Sequence, residues 1–321
     1  MAKICWIPQA IHSSGINKLT ENNFVPLRQP TLPAADLCAQ IEAVIFRSGT
    51  FSCSMMAQLP HLKVIAVHGV GTDGIDIPFA TQQGIVVLNT PGTNTRSVAE
   101  HAIALLFALN KHLLASDQAI RENRYQAFKS VGGLRELQGS TLGIVGFGAI
   151  GQCTAALARA IGIKVLVHSR QSQQDIEQAG YRKAADFTAL LAESDAVSLH
   201  LPAVAETHHL INAETLSYLP PHAFLINTSR GALVDEQALA NALINRQIAG
   251  AALDVFHCEP LPADDPLLAA PNLIVTPHTA ASSEQALINM ATAAVDGVLR
   301  VMANTPPLSL INPAVWPQRR Q

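Results

Sequence analysis

Apolar positions in this chain come in short runs that alternate with amphipathic stretches. Over the first ninety residues the runs at 4–7, 43–46, 64–67 and 85–88 are rich in Ile, Val and Leu. Their length predicts strands separated by helical or polar connections, which together make a small parallel sheet with helices on it. Beyond residue 140 the alternation becomes regular. Strands are predicted at 142–145, 164–168, 196–201, 223–227, 249–255 and 273–275, with helical patterns just after 151 and around 188–193, 213–219 and 236–245. This is the pattern of a doubly wound sheet. Between the two regions, Ser97 and Glu100 have the spacing of a capping box opening an apolar helix over 102–114. A polar stretch at 116–138, carrying Tyr125 and Phe128, is expected to wrap the surface. A long amphipathic run at 283–304 leads to the tail 311–317. If that run returns to the first region, the chain crosses between domains twice. The expected division is 1–96 plus 285–321 against 97–284, an α/β protein with two parallel-sheet domains of the Rossmann or flavodoxin type.

Composition narrows the class. At 321 residues the chain exceeds the size at which a single core usually keeps growing. With 49% hydrophobic and 14% charged residues it suits buried parallel sheets. A formal net charge of −3 gives no electrostatic reason to expect nucleic acid or an anionic membrane as partner. Cys5, Cys38, Cys53, Cys153 and Cys258 are odd in number and contain no C-x-x-C pair, so they read as reduced thiols of a cytoplasmic protein. The N-terminus meets Pro8 early and reads as neither signal peptide nor anchor. His208 and His209 are adjacent and would diverge on a strand or helix, so no metal site is expected.

The most informative stretch is 139–162. An apolar run, Leu142 to Val145, turns on Gly146-Phe147-Gly148-Ala149-Ile150-Gly151 and continues as an Ala- and Leu-rich helical pattern. Strand, glycine turn and helix occur in the order a dinucleotide pyrophosphate requires. Gly146 would allow the tight turn, Gly148 the approach of the phosphates, and Gly151 close packing of the helix on its strand. NAD-binding units carry an acidic residue at the end of the second strand, about 20 residues on. Here Ser169 stands at that place and Arg170 follows. A hydroxyl and a guanidinium can donate to a 2′-phosphate, so NADP(H) is favoured over NAD. The alternative is that Arg170 is solvated or stacks on adenine while Asp175 or Glu177 reaches the ribose.

Three ionisable residues follow strand ends of the second region: Arg230, Glu259 and His278. An arginine clamps a carboxylate bidentately and polarises an adjacent carbonyl. A histidine passes a proton near neutral pH, and a carboxylate beside it favours the imidazolium and fixes its orientation. In the first region two loops follow strands. One is Arg47-Ser48-Gly49-Thr50 and the other is His68 to Asp76, in which Gly69 and Gly71 offer backbone N–H groups as an anion nest. A plain strand-to-helix turn with an N-capping Asp explains the second loop equally well.

The segments GVGTDGID, NTPGTNTRSVAEHAIALL, GFGAIG, INTSRGALVDEQAL, ALDVFHCEP and TPHTA resemble, in order and spacing over the whole length, the D-isomer-specific 2-hydroxyacid dehydrogenase family. The resemblance implies two domains with the active site in the cleft between them, and hydride transfer between a nicotinamide and C2 of a 2-oxo or 2-hydroxy acid. It makes Arg230 the group that binds substrate carboxylate and carbonyl, His278 the proton donor or base, and Glu259 its partner. Val70 and Gly71 become N–H donors to the carboxylate. Gly146, Gly148, Ala149, Ile150, Gly151, Ser169, Arg170, His200, Pro202, Thr207, Thr228 and Asp254 fall to the cofactor, the last two near the nicotinamide. Glu259 argues against the formate dehydrogenase branch, which is similar but has Gln there. His101 and His112 read as packing or solvent residues of the long helix, whereas His68 lies where it would touch the variable end of the substrate. Family habit implies a homodimer through the helix near 99–115.

Arg47 matches a position that the phosphoglycerate dehydrogenase branch uses for an anionic group, and NTRSVAE resembles that branch. Val67, however, stands where the branch often has a second arginine, and the serine-sensing C-terminal extension of its longer members has no counterpart here. With Ser169 and Arg170, the pattern resembles more closely a reductase of glyoxylate or hydroxypyruvate using NADP(H). Two alternatives are an NAD-using phosphoglycerate dehydrogenase-like enzyme and a nicotinamide-sensing binding protein like the corepressors that share the triad.

Overall fold

The computed structural model describes residues 3–130 and 134–321. The chain forms two compact units, Met1–Asn94 with Ser282–Gln321, and Thr95–Ala281.

The first unit holds a five-stranded sheet of β1 (Lys3–Ile7), β2 (Phe24–Arg28), β3 (Ile41–Phe46), β4 (Val64–Val67) and β5 (Val86–Leu88). All its pairings are parallel and its order is β2-β1-β3-β4-β5, the flavodoxin-like arrangement. One face packs Ile4, Trp6, Val44, Phe46 and Phe51, and the other packs Cys5, Ile45 and Val86 against Ala294, Val295 and Val298 of the helix Glu284–Met302. That helix needs the close approach that Gly297 permits, because a Cβ there would stand 2.6 Å from Leu88. After the helix the tail is tied down by Asn312, which is 4% exposed. Its Oδ1 accepts from Val87 N–H at 2.9 Å, and its Nδ2 donates to Ile85 O at 2.9 Å and Thr81 Oγ1 at 3.0 Å. Asn312→Leu strands two of these buried backbone groups. We expect it to cost about 3 kcal/mol, read as a lowered urea midpoint for the first unit.

The second unit holds seven parallel strands: β6 (Thr141–Val145), β7 (Lys164–His168), β8 (Arg182–Lys183), β9 (Ala196–Leu199), β10 (Phe224–Asn227), β11 (Gly250–Leu253) and β12 (Leu273–Val275). Their order, β12-β11-β10-β9-β6-β7-β8, reverses direction between β6 and β9. That switch point is where open α/β sheets place their ligands.

Two strands escape the apolar pattern, and both are edges. Phe24–Arg28 contains Pro26, which an edge strand tolerates because no partner needs its missing N–H. Arg182–Lys183 is short and polar. The capping box at Ser97 and Glu100 is not formed. The helix runs Thr95–Asn110, so Ser97 is already inside it, and its hydroxyl donates to Ala280 O at 2.6 Å while Glu100 pairs with Arg96. The helix also ends before 114, where His112 takes a positive φ of 48° and a second helix, Leu113–Arg121, begins. The expected polar wrap at 116–138 is therefore helical in part, with a further turn at Tyr125–Lys129. Residues 131–133 of that stretch lie outside the described residues. Among the described residues no single helix is long and apolar enough to cross a membrane.

Candidate active site

In a parallel sheet every strand ends at the same edge, so residues just after strands collect there. In the second unit this edge receives the glycine turn after β6, Ser169-Arg170 after β7, His200 to Thr207 after β9, Thr228 to Arg230 after β10, Asp254 to Glu259 after β11 and Thr276 to His278 after β12.

The glycine turn meets the demands of a dinucleotide one position at a time. Gly146 has φ +94°, and a Cβ on it would lie 2.4 Å from His200 O. At Gly151 a Cβ would lie 2.1 Å from Gly146 O, so only glycine lets the helix Ala149–Ala160 sit this close to its strand. Gly148, the N-cap of that helix, is the opposite case, since a Cβ there would meet nothing within 4 Å. The open space lies before a helix N-terminus whose first turn, including Ala149 and Ile150, has unpaired N–H groups for an anion. Thr228 is 8% exposed and its buried hydroxyl has no hydrogen-bond partner, as expected of a group that awaits a ligand. The residues present thus fit a bound dinucleotide.

At the end of β7, Ser169 Oγ accepts from Gln171 N–H at 3.1 Å and Arg170 is exposed. Gln171 Nε2 donates to Phe147 O at 2.9 Å, which joins this segment to the glycine turn, and Lys183 Nζ reaches Gln171 O at 2.6 Å. Two cations therefore stand beside the segment. The two carboxylates that could reach back to a ribose are engaged locally: Asp175 accepts from Ser172 Oγ at 2.6 Å and Glu177 from Gln173 Nε2 at 2.8 Å. In the loop after β9, Thr207 Oγ1 bonds Pro202 O at 2.8 Å and Val204 N at 2.9 Å. His200 bonds Ser198 Oγ at 3.0 Å, and burial pushes its pKa down to about 4, so it is neutral.

Glu259 and His278 are brought together from separate loops, with His278 Nδ1 2.8 Å from Glu259 Oε2. The other Glu259 oxygen accepts from Phe256 N–H at 3.0 Å, which aims the carboxylate. Burial works against the Glu259 charge, but the His278 bond, the Phe256 N–H, His278 itself and Arg230 outweigh it and lower its pKa. The His278 pKa is raised, chiefly by the hydrogen bond to Glu259, against desolvation and Arg230. Arg230 thus lies within electrostatic reach of both partners. Its Nη1 donates to Ser229 O at 2.7 Å.

The supports of this trio were less legible. Asn227, fully buried, donates to Arg230 O at 2.8 Å and accepts from Ser229 N–H at 3.0 Å, folding the loop that presents Arg230. Gly231 allows that loop to lie against Phe256, where a Cβ would stand 1.9 Å from a backbone carbon. Asp254, also fully buried, accepts from Thr276 Oγ1 at 2.6 Å, Thr279 N at 2.8 Å and Ala280 N at 2.8 Å. Its carboxylate is thereby committed to the His278 loop, in which His278 has a positive φ of 52°. The long helix holds the same loop through Ser97 and through His101, whose Nε2 is 3.1 Å from Thr276 Oγ1. His101 therefore does more than pack, and only its strand-end neighbour across the fold could have revealed that.

The first unit presents its own edge. Arg47 follows β3; it is exposed, with Nη1 donating to Ala10 O at 3.2 Å. After β4, His68 is 3% exposed and neither ring nitrogen has a hydrogen-bond partner. Burial, with Arg47 adding to it, pushes its pKa down to about 4. Of the two readings open for the 68–76 loop, the structure contains elements of both. Asp76 caps the helix Ile77–Gln82 by accepting from Phe79 N–H at 2.9 Å, while the N–H groups of Val70 and Gly71 donate to no described residue. Asn94, 8% exposed with an unpartnered Oδ1, is a further polar group that the sequence did not single out. Its only signal was its place in the NTRSVAE segment.

The model of the D-isomer specific 2-hydroxyacid dehydrogenase NAD binding domain matches residues 103–280. The chain is 38% identical over 316 residues to a D-3-phosphoglycerate dehydrogenase of Synechocystis sp., covering 97% of this chain and 56% of that protein, so it spans little more than half of that relative's length. It is 40% identical over 264 residues to a glyoxylate reductase of Thermofilum pendens, covering 81% and 78% of the two chains. Among solved structures, an NADPH-dependent glyoxylate/hydroxypyruvate reductase of Sinorhizobium meliloti, in complex with NADP and malonate, superposes with a TM-score of 0.87 at 31% identity, over 100% of this chain and 99% of that one. The match of more than half the chain to one family model, together with these relatives, means that the chain belongs to the D-isomer specific 2-hydroxyacid dehydrogenase family.

Proposed function

We propose that this protein is an NADP(H)-dependent reductase of small 2-oxo acids of the glyoxylate or hydroxypyruvate type. The observation that carries the reading is the Glu259–His278 pair, with Arg230 in electrostatic reach, on the sheet edge that also bears the glycine turn. Gly146, Gly148, Ala149, Ile150, Gly151, Ser169, Arg170, His200, Pro202, Thr207 and Thr228 would hold a reduced nicotinamide dinucleotide, which would supply the hydride. Arg230 binds the substrate carboxylate and draws charge onto the carbonyl oxygen. His278, kept protonated by Glu259, gives its proton to that oxygen as the alcohol forms, and takes it back in the oxidative direction. In the first unit Arg47, Val70 and Gly71 are the substrate-binding residues.

Ser169, Arg170 and Lys183, with Asp175 and Glu177 otherwise engaged, support NADP(H) over NAD. Arg170→Ala is expected to lower the NADPH:NADH ratio of kcat/KM by about tenfold or more, the worth of one charge-assisted hydrogen bond. An unchanged ratio would count against this assignment. The substrate is tested by steady-state rates with glyoxylate, hydroxypyruvate, pyruvate, a branched 2-oxo acid and 3-phosphohydroxypyruvate, each with both cofactors. The similarity to phosphoglycerate dehydrogenases over 97% of the chain favours one rival outcome, preference for the phosphorylated acid with NADH. Leu113, Leu114, Ile120, Tyr125 and Leu134 are all more than half exposed on or near the two helices after the long one, which supports a homodimer. Five free cysteines fit work in the cytoplasm.

A further inference from the structure

We infer that Asn89, braced by Ser309 of the C-terminal tail, is the positioning residue that aims the Gly71 N–H group at a substrate carboxylate, beside the Val70 N–H group that Thr90 aims. The inference rests on the proposed role of those two N–H groups. Peptide planarity carries it. A trans peptide points its C=O and its N–H in opposite directions, so pinning the carbonyl of one residue aims the N–H of the next. Asn89 Nδ2 donates to Val70 O at 2.7 Å, which turns Gly71 N–H away from the 89–90 segment. Thr90 does the same one peptide earlier. Its N–H donates to Gly69 O at 2.8 Å and its hydroxyl reaches the same oxygen at 3.0 Å, so Val70 N–H also turns away. Two successive N–H groups, neither spent on a described residue, are thereby held facing the same side.

Asn89 is itself oriented. Ser309 Oγ donates to Asn89 Oδ1 at 2.5 Å, which fixes the carboxamide with its NH2 toward Val70. Ser309 is placed by the tail, since Leu310 bridges Leu88 and Ile311 N–H donates to Val87 O at 2.9 Å. The last segment of the chain thus reaches the loop after β4 through one side chain. Val70 is 40% exposed, so water can replace the lost partner of its carbonyl and the fold should survive removal of the amide.

The test is Asn89→Ala and the near-isosteric Asn89→Asp, which has no N–H to donate, beside Ser309→Ala. Each is assayed with NADPH and glyoxylate, and by calorimetric titration of malonate into the NADPH-loaded protein. We expect KM for glyoxylate and Kd for malonate to rise together by about tenfold in both Asn89 variants, the scale of one net hydrogen bond, and by less in Ser309→Ala. In all three, kcat and the Kd of NADPH should stay within about twofold. A purely structural role would instead lower Tm and move kcat with KM. Unchanged KM and Kd in folded variants overturns the inference, as does a fall in kcat alone or a wild type that binds no malonate. If the Asn89 variants melt early, Ser309→Ala decides by the same readings. If the wild type reduces no 2-oxo acid yet binds malonate, the proposed reaction fails while the malonate series still settles the role of Asn89.

Discussion

His278→Gln is expected to lower kcat for 2-oxo acid reduction by about 10²–10⁴-fold, the usual worth of a positioned general acid, with NADPH binding retained. Stopped-flow turnover and cofactor fluorescence measure the two effects separately. Wild-type rates in this variant would end the assignment. The effect has a pH counterpart. Because the His278 pKa is raised above its ordinary 6.5, the proton needed for reduction is fully present below that value. It is lost as pH rises through the higher folded value, so reduction should fall along a limb lying above pH 6.5. Oxidation needs the deprotonated ring and should show the mirror limb, falling as pH drops through the same value. Glu259→Gln removes the largest cause of the upward shift and should move both limbs to lower pH while leaving the cofactor site intact. A profile that stays in place would show that Glu259 does not set the proton affinity of His278.

Arg230→Ala should produce the second largest loss, about 10²–10³-fold in kcat/KM, because one side chain is asked both to hold the carboxylate and to receive charge from the carbonyl. Removing it also takes a positive charge from beside His278, so the residual activity should show its pH limb displaced upward. Arg230→Lys should recover little of the loss, since a lysine cannot donate in a planar fork. Recovery to within about tenfold of wild type by lysine would mean that charge alone, and not bidentate geometry, does the work.

Most of the elements could be read from local pattern because buried parallel strands are short, apolar and bounded by turns. The exceptions follow from neighbours. Phe24–Arg28 and Arg182–Lys183 are strands because each adds to an exposed sheet edge, and no periodicity within five residues or two can announce that. Ser97 and Glu100 have capping-box spacing, yet the helix starts two residues before Ser97, and the serine instead ties its helix to the His278 loop.

The chemistry divides in the same way. The sequence by itself determined the strand, glycine turn and helix of a dinucleotide site, because the apolar run, the glycines and the helical pattern follow one another at a fixed local spacing. It also supplied the residue types after each strand, since chain order places them at strand ends. Only the tertiary structure decided which of them meet. Glu259 and His278 are nineteen positions apart and touch because β11 and β12 are neighbours and because the buried Asp254 pulls the 276–280 backbone into place. Asn227, Asn89 and Asp254 lie in segments that carry the family resemblance, but their residue types alone do not show what they hold. Their roles exist only as hydrogen bonds to backbone that the folded sheets bring within reach, and such bonds leave no periodicity in the chain.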